Sequence, residues 1–483
     1  MRKSGLYTSD LYIEYAGAYS DCIEWREKSI GRTGKNIAMF LLAAVIGIVS
    51  VNPLAGRIDQ VKAAMSQTSE AAVTGGASTK LTLLPQKEQA EIPSIPLGTL
   101  EKEPGDILIV LDPGHGGEDE GCARDGVEEK EVNLRIALEI QRKLLEKGYQ
   151  VKLTRNQDME LTLEDRAKTA NETGADLYIS IHQNSSQEAN ADGIEVWYSR
   201  QNQGEESERL SRIIQKYAVQ NTGAKSRELV ENEELYVIRE CTMPSCLIET
   251  GFLSNKAECD KLAAAEYQER LGDGIAAGID AYLNPKTMYL TFDDGPTEEN
   301  TARVLDILKA RNIKATFFLV GENVEKHPEM AKRIVDEGHT IGIHCYSHDY
   351  NALYASVDSY IADFEKAQEV VREATGVEVK LFRFPGGSIN GYNKQVYQQI
   401  AEEMTQRGYL YYDWNASLED AVKNPKAESL IQNAVSSTLG RKKIIMLAHD
   451  VVEETGLCLE ELLDQFPEYQ MEAITEEVEP IHF

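Results

Sequence analysis

Two carboxylates stand side by side at the end of an apolar run. Met288-Tyr289-Leu290-Thr291-Phe292 leads straight into Asp293-Asp294, and Gly295-Pro296 stops it. Unpaired carboxylates near a core are costly, so a buried strand rarely ends on two acids without a reason. One acid holding a cation while its neighbour takes a proton is such a reason. A solvated Asp-Asp-Gly turn is the plain alternative. The histidines weigh between them. The chain has eight, and five sit in similar settings: His115, His182, His344, His348 and His449, leaving His327, His339 and His482 for ordinary duties. His344 and His348 are four apart, which puts two imidazoles on one face of a helical turn, suited to a single metal. Arg383 and His449 each follow a further apolar run. Earlier in the chain, His115 lies among glycines in Asp112-Pro113-Gly114-His115-Gly116-Gly117, Glu129 opens a helical pattern, and His182 and Glu249 each end an apolar run. Neutral imidazoles with a carboxylate are the donors of an open catalytic zinc site, and a further glutamate is placed to take a proton from water.

These residues need elements that bring them together. A continuous apolar run at 107–111 reads as a buried parallel strand. A helical period comes next at 130–147, ending on Gly148. Further strands are expected at 151–153, 177–181, 194–198, 235–238 and 245–248, and helices at 163–172, 205–220 and 257–282. Alternating strands and helices imply an α/β domain over residues 106–284 with a mostly parallel sheet. Asn284-Pro285 breaks the pattern, and a second alternation begins. Strands at 288–292, 315–319, 340–343, 379–384, 409–412 and 443–448 imply a second α/β domain over 286–483, a distorted (β/α) barrel. Apart from Glu129, at a helix start, the catalytic groups then lie at or just past C-terminal strand ends, where such folds gather them.

The first half resembles the zinc-dependent N-acetylmuramoyl-L-alanine amidases over about 106–283. The motifs are Leu111 to Gly117, Glu129-Lys130, Leu153-Thr154-Arg155, Arg166 with Ala170-Asn171, Ser180 to Asn184, and Leu247 to Asn255. The resemblance implies His115, Glu129 and His182 as zinc ligands and Glu249 as catalytic acid and base. Glu128 adjoins Glu129, and the Glu-Lys pairing favours Glu129. Ten residues separate His182 from Gly193, little room for the autoinhibitory helix that some relatives insert there. The second half, from 286 to about 475, resembles the polysaccharide deacetylases through Thr291 to Gly295, His344 with His348, Arg383 with Pro385, and Leu447 with His449. That resemblance implies Asp294, His344 and His348 as ligands of zinc or another divalent metal. It implies Asp293 as the base, Arg383 as its orienting partner, His449 as the acid, and Leu447 as a wall of the acetyl pocket. The family's Asp-Trp pair is altered. Asp420 is the favoured aspartate and is followed by Ala421, with Asp413-Trp414 as the other candidate and Trp414 on the substrate side.

Composition sets the surroundings. A formal charge of -30 over 483 residues argues against binding nucleic acid through a basic surface. Seven cysteines form no Cys-x-x-Cys pair and read as small buried thiols. Residues 1–35 read as a cytoplasmic head, with Arg26, Lys28, Arg32 and Lys35 ahead of an apolar stretch at 36–54. The eighteen residues from Ile37 to Leu54, as a helix, span about 27 Å, so the stretch reads as an uncleaved transmembrane signal anchor, with a cleaved signal peptide as the competing reading. Either one exports the catalytic domains to face the cell wall. Residues 55–105, rich in Ser, Thr, Gly and Pro, read as a flexible linker. Two hydrolases on one exported chain make peptidoglycan the expected substrate. They raise the expectation of a shared sugar, a muramic acid freed of peptide and of acetyl that closes to a lactam.

Overall fold

The computed structural model describes residues 106–483. The expected head, membrane span and linker lie outside the described residues. Among the described residues no helix is long and apolar enough to cross a membrane.

The first sheet is built from β1 (Leu108–Pro113), β4 (Gln150–Leu153), β5 (Leu177–Asn184), β6 (Glu195–Tyr198), β7 (Val230–Glu231) and β8 (Ser245–Phe252), while β2 (Ala123–Arg124) and β3 (Val127–Glu128) form a small hairpin beside it. Its order is β4-β1-β5-β8-β6-β7. All pairs are parallel except β6 with β8. The run Leu108 to Leu111 is fully buried because helices cover both faces of a parallel sheet. The helix Glu129–Glu146 buries Val132, Ile136, Ala137, Ile140 and Leu144 against that sheet. It ends at Lys147, and Gly148 comes next at φ 91°, a left-handed step that glycine takes without penalty.

Two expected elements differ. Residues 235–238 fall in the short helix Tyr236–Arg239, not a strand. A four-residue apolar run carries no period that separates the two, and here Val237 and Ile238 pack with Tyr178, Cys241 and Met243. The expected long helix at 257–282 is two helices, Lys256–Leu262 and Ala265–Leu283. The Gln268 side chain holds the break by donating to the Leu262 carbonyl at 2.7 Å.

The second sheet is parallel throughout: β9 (Lys286–Asp293), β10 (Thr316–Val320), β11 (Thr340–Cys345), β12 (Leu381–Phe382), β13 (Leu410–Tyr411), β14 (Ala416–Ser417), β15 (Lys443–His449) and β16 (Tyr469–Glu472). The order is β13-β12-β11-β10-β9-β15-β14, with β16 on the first half of β9. The end strands β13 and β14 do not pair, so the expected barrel is an open one. The closing segment bonds to both sides of that gap. Tyr412 donates its hydroxyl to the Val478 carbonyl, the Asp413 N–H reaches the Ile481 carbonyl, and Lys443 reaches the Glu479 carbonyl. The expectation did not include β14 or β16, which are too short or too polar to show an apolar run.

The domains meet at Lys216. Its ammonium lies 2.7 and 2.8 Å from the two Glu468 carboxylate oxygens and 2.8 Å from the Gln465 carbonyl. Glu468 is buried and Lys216 is shielded from water on most sides, so the pair is screened less than a surface bridge.

Candidate active sites

In the first domain Glu129 is the hub. Its Oε1 lies 3.2 Å from His115 Nε2 and 3.0 Å from His182 Nδ1. The same oxygen accepts from the Gln183 N–H at 3.0 Å, and Oε2 accepts from the Cys122 N–H at 2.9 Å. The two imidazoles hold this carboxyl well below the usual carboxylate range, against the opposing effect of its burial. One donor atom from each of His115, Glu129 and His182 falls within a 4.8 Å span. Glu128 lies outside the cluster and faces Lys130 at 3.5 Å. Glu249 is the register partner of His182 across β5 and β8. Its Oε2 is buried with no hydrogen-bond partner. Burial, then the nearby Glu129 and Glu195 charges, push its pKa well above the ordinary value.

The loop carrying His115 is held from below. Asp112 accepts from Arg166, Thr154, Tyr178 and Ser180 at 2.6 to 2.8 Å, all buried. Arg166 also donates to the Pro113 and His115 carbonyls, and fully buried Arg155 donates to the carbonyls of Pro113, Gly114 and Lys130. The motif residues around the site are thus the loop's scaffold. Gly114 is required because a Cβ there would sit 2.2 Å from the His182 ring. Asp119, which sequence reasoning passed over, lies 2.8 Å from His115 Nδ1 and orients that ring. Its only signal is its place four residues after His115. Between His182 and Gly193 the described backbone holds no helix.

In the second domain Asp293 and Asp294 part company at the end of β9. Asp294 Oδ1 lies 3.4 Å from both His344 Nε2 and His348 Nε2, and these three residues form the second cluster with metal-ligand spacing. His344 is fixed by a 3.0 Å contact between its Nδ1 and the Arg383 carbonyl. Asp293 turns to Arg383, whose Nη1 donates at 2.9 Å and also reaches Thr291 Oγ1 at 2.7 Å. Burial pushes the Asp293 pKa up to about 6, against the pull of Arg383 and His449. His449 Nδ1 lies 2.7 Å from Asp420 Oδ1, and Asp420 Oδ2 takes the His449 N–H and the Thr455 hydroxyl. Burial alone would lower the His449 pKa. The Asp420 carboxylate, with Asp294 and Asp293, raises it to about 10.

Asp420 is therefore the aspartate at His449. Asp413 lies elsewhere, accepting from the Ser388 N–H and hydroxyl and from the Phe483 N–H. Leu447 and Trp414 line the cavity above Asp293 and Asp294, together with Tyr350 and Ala421. Tyr350 was not among the expected site residues. An aromatic next to a motif has no signal of its own.

Strained backbone occurs at both sites. His115, Asp294 and His348 all take positive φ (62°, 77° and 55°), and so does Glu419 beside Asp420 at 56°. Such conformations cost about 1–3 kcal/mol each and persist where the surroundings enforce them. The remaining histidines do other work. His339 accepts from the Ala315 N–H inside the core, and His482 stacks on Tyr411. The six described cysteines are all free, five of them buried.

Residues 109–281 match the family described as N-acetylmuramoyl-L-alanine amidase, and residues 280–405 match the family described as polysaccharide deacetylase. The chain is 32% identical over 206 residues to a peptidoglycan-N-acetylglucosamine deacetylase of Bacillus cereus, covering 41% of this chain and 73% of that protein. It is 40% identical over 176 residues to the uncharacterized protein YqiI of Bacillus subtilis, covering 36% of this chain and 84% of that one. Among solved structures it is similar to an N-acetylmuramoyl-L-alanine amidase from Clostridium difficile 630, at 38% identity and a TM-score of 0.35, covering 37% of this chain and 97% of the other.

Proposed function

The chain belongs to two enzyme families at once, the N-acetylmuramoyl-L-alanine amidases and the polysaccharide deacetylases, and from that premise we propose a peptidoglycan hydrolase with two metal-assisted reactions acting on one sugar. The donor sets fit a divalent cation. Each cluster offers two imidazoles and one carboxylate, and five of the six side chains (His115, Glu129, Asp294, His344 and His348) are set by further hydrogen bonds or strained backbone. His115, Glu129 and His182 would hold zinc, and Asp294, His344 and His348 would hold zinc or another divalent metal. Such an ion, when bound, acidifies a water and polarises the amide carbonyl.

The chain's own residues supply the proton transfers. In the first site Glu249 takes a proton from the attacking water and returns it to the departing alanine amine. A carboxyl whose pKa is raised by burial is suited to the return step. In the second site Asp293 takes the proton from water, with its carboxylate aimed by Arg383. His449, kept protonated by Asp420, gives a proton to the sugar amine as the acetyl group leaves as acetate. Leu447 and Trp414 wall the acetyl methyl away from water.

The fusion itself carries the shared-sugar reading: two hydrolytic sites on one chain, their domains joined by the Lys216–Glu468 bridge. The amidase step frees the lactyl carboxylate of muramic acid. The deacetylase step frees the amine on the same ring, and the two condense to a lactam with loss of water. Mass spectrometry of muropeptides treated with wild type, Glu249→Gln and Asp293→Asn protein tests it. Deacetylated glucosamine without any deacetylated muramic acid would sink the shared-sugar reading. That outcome supports the second reading, deacetylation of N-acetylglucosamine beside an independent amidase, which the name of the Bacillus cereus relative favours. The apolar stretch at 36–54, preceded by basic residues, supports a membrane-anchored enzyme whose catalytic domains face the wall. Protease added to intact cells should then degrade the catalytic domains.

A further inference from the structure

The loop after β12 is a self-bonded turn that carries an exposed tyrosine. Gly386 and Gly387 take φ of 73° and 88° and turn the chain. Two buried asparagines then lock the turn in place. Asn390 donates its side chain to the Pro385 and Gly387 carbonyls and accepts from the Tyr392 and Asn393 N–H groups. Asn393 accepts from the Asn390 N–H and donates to the Gly387 and Ser388 carbonyls. A segment so completely bonded to itself loses little entropy when something binds it. Its tip is Tyr392, with 38% of its surface exposed.

Tyr392 does not stand alone. Its ring lies 4.9 Å from that of Tyr350 at an interplanar angle of 31°, and the Tyr350 ring lies 5.1 Å from His348. Tyr350 lines the cavity over Asp294. An unbroken row of rings thus leads from the second metal cluster to the surface, where its outer member is partly exposed to solvent. We propose that Tyr392 is a sugar-stacking residue of the deacetylase site. It receives the apolar face of a pyranose adjacent to the sugar whose acetamide enters the cavity, and so makes the enzyme prefer a glycan chain over an isolated amino sugar.

The chemistry suits the ligand. A pyranose presents C–H groups on one face, and an aromatic ring offers them apolar contact and a negative π-face. The opposing explanation is that Tyr392 only shields Tyr350 from water. A phenylalanine would shield equally well, and so would leave stability and turnover alike. Loss of a shield would disturb Tyr350 and the cluster beneath, and would appear in kcat.

The inference rests on the deacetylase reading, so its test reads strand binding as well as turnover. Acetate release from peptide-free glycan strands is measured for wild type, Tyr392→Ala and Tyr392→Phe. Strand affinity is measured for Asp293→Asn and for Asp293→Asn/Tyr392→Ala. The expected result is a KM raised about tenfold in Tyr392→Ala with kcat within about twofold, near-wild-type behaviour in Tyr392→Phe, and a matching tenfold loss of strand affinity in the double variant. Strand affinity unchanged by Tyr392→Ala overturns the proposal, and so does a loss carried by kcat. A wild type that releases no acetate counts against the deacetylase reading, while strand affinity still decides the role of Tyr392.

Discussion

Asp420 Oδ1 sits 2.7 Å from His449 Nδ1, and its second oxygen takes the backbone N–H of the same histidine. One carboxylate thereby fixes both the ring and the strand end that carries it. It also sets the charge of the imidazole, since it leads the influences that raise the His449 pKa to about 10 against the opposing effect of burial. Replacing Asp420 with Asn keeps the shape and removes the charge. Deacetylation by Asp420→Asn should fall about a hundredfold in kcat, the order expected when an acid loses its correct protonation state. The direction of the shift sets the sign of the pH effect. In the proposed role of acid His449 acts while protonated, and without the carboxylate it loses its proton at lower pH. The alkaline limb of the deacetylation profile should therefore move down in Asp420→Asn. An unmoved limb would remove His449 from the role of acid.

The two sites lie in separate sheets and share no side chain. Glu249→Gln should thus lower the amidase rate by about 10²–10⁴-fold and leave acetate release within about twofold, and Asp293→Asn should do the reverse. Release of soluble peptide and release of acetate, assayed on the same peptidoglycan, read the two reactions separately. Loss of both activities in either variant would mean that the reactions are coupled.

Much of this was legible in the sequence, because both sites sit where long apolar strands stop. β1, β5, β8, β9, β11 and β15 are fully or mostly apolar runs, and each carries in its C-terminal half, or leads into, a His, Glu or Asp of one of the two sites. A buried parallel strand has that signature. The aspartate near His449 was harder, because Asp413 directly follows the expected strand at 409–412 while Asp420 lies in an irregular segment beyond the two-residue β14. Only the path of the chain through β14 brings Asp420 to His449. Asp119, Tyr350 and Tyr392 work through rings and neighbours already in place, so their sequence positions carry no period. The antiparallel β6 was equally hidden, since strand direction depends on the connection and not on the strand's composition.

Each cluster gathers two imidazoles and a carboxylate whose mutual contacts are 3.0 to 3.4 Å. Divalent cations bound there should stabilise the folded chain by mass action. Purified protein should contain two equivalents of divalent metal, one per cluster. Removing them with a strong chelator should abolish both activities and lower Tm by about 5–10 °C, and zinc should restore both. Elemental analysis with thermal melts checks this. Full activity after exhaustive chelation would exclude metal from both reactions.

His339 predicts a pH effect on stability that owes nothing to either site. Its Nδ1 accepts from the Ala315 N–H at 3.1 Å, its ring meets Phe317 edge-on, and its Nε2 is buried without a partner. Burial, with Lys314 nearby, lowers its pKa to about 4. An unfolded histidine titrates near 6.5. Between those values the unfolded chain binds the extra proton, so stability is complete above about pH 6.5 and is lost as pH falls towards about 4. At pH 5 the loss should be roughly 1–2 kcal/mol, the upper figure being reached if the site excludes water fully. His339→Asn keeps an acceptor that does not titrate, so its stability should change less between pH 7 and pH 5 than that of the wild type. Urea unfolding of both proteins at the two pH values measures the difference. Equal losses in both would show that His339 does not govern the acid sensitivity of the second domain.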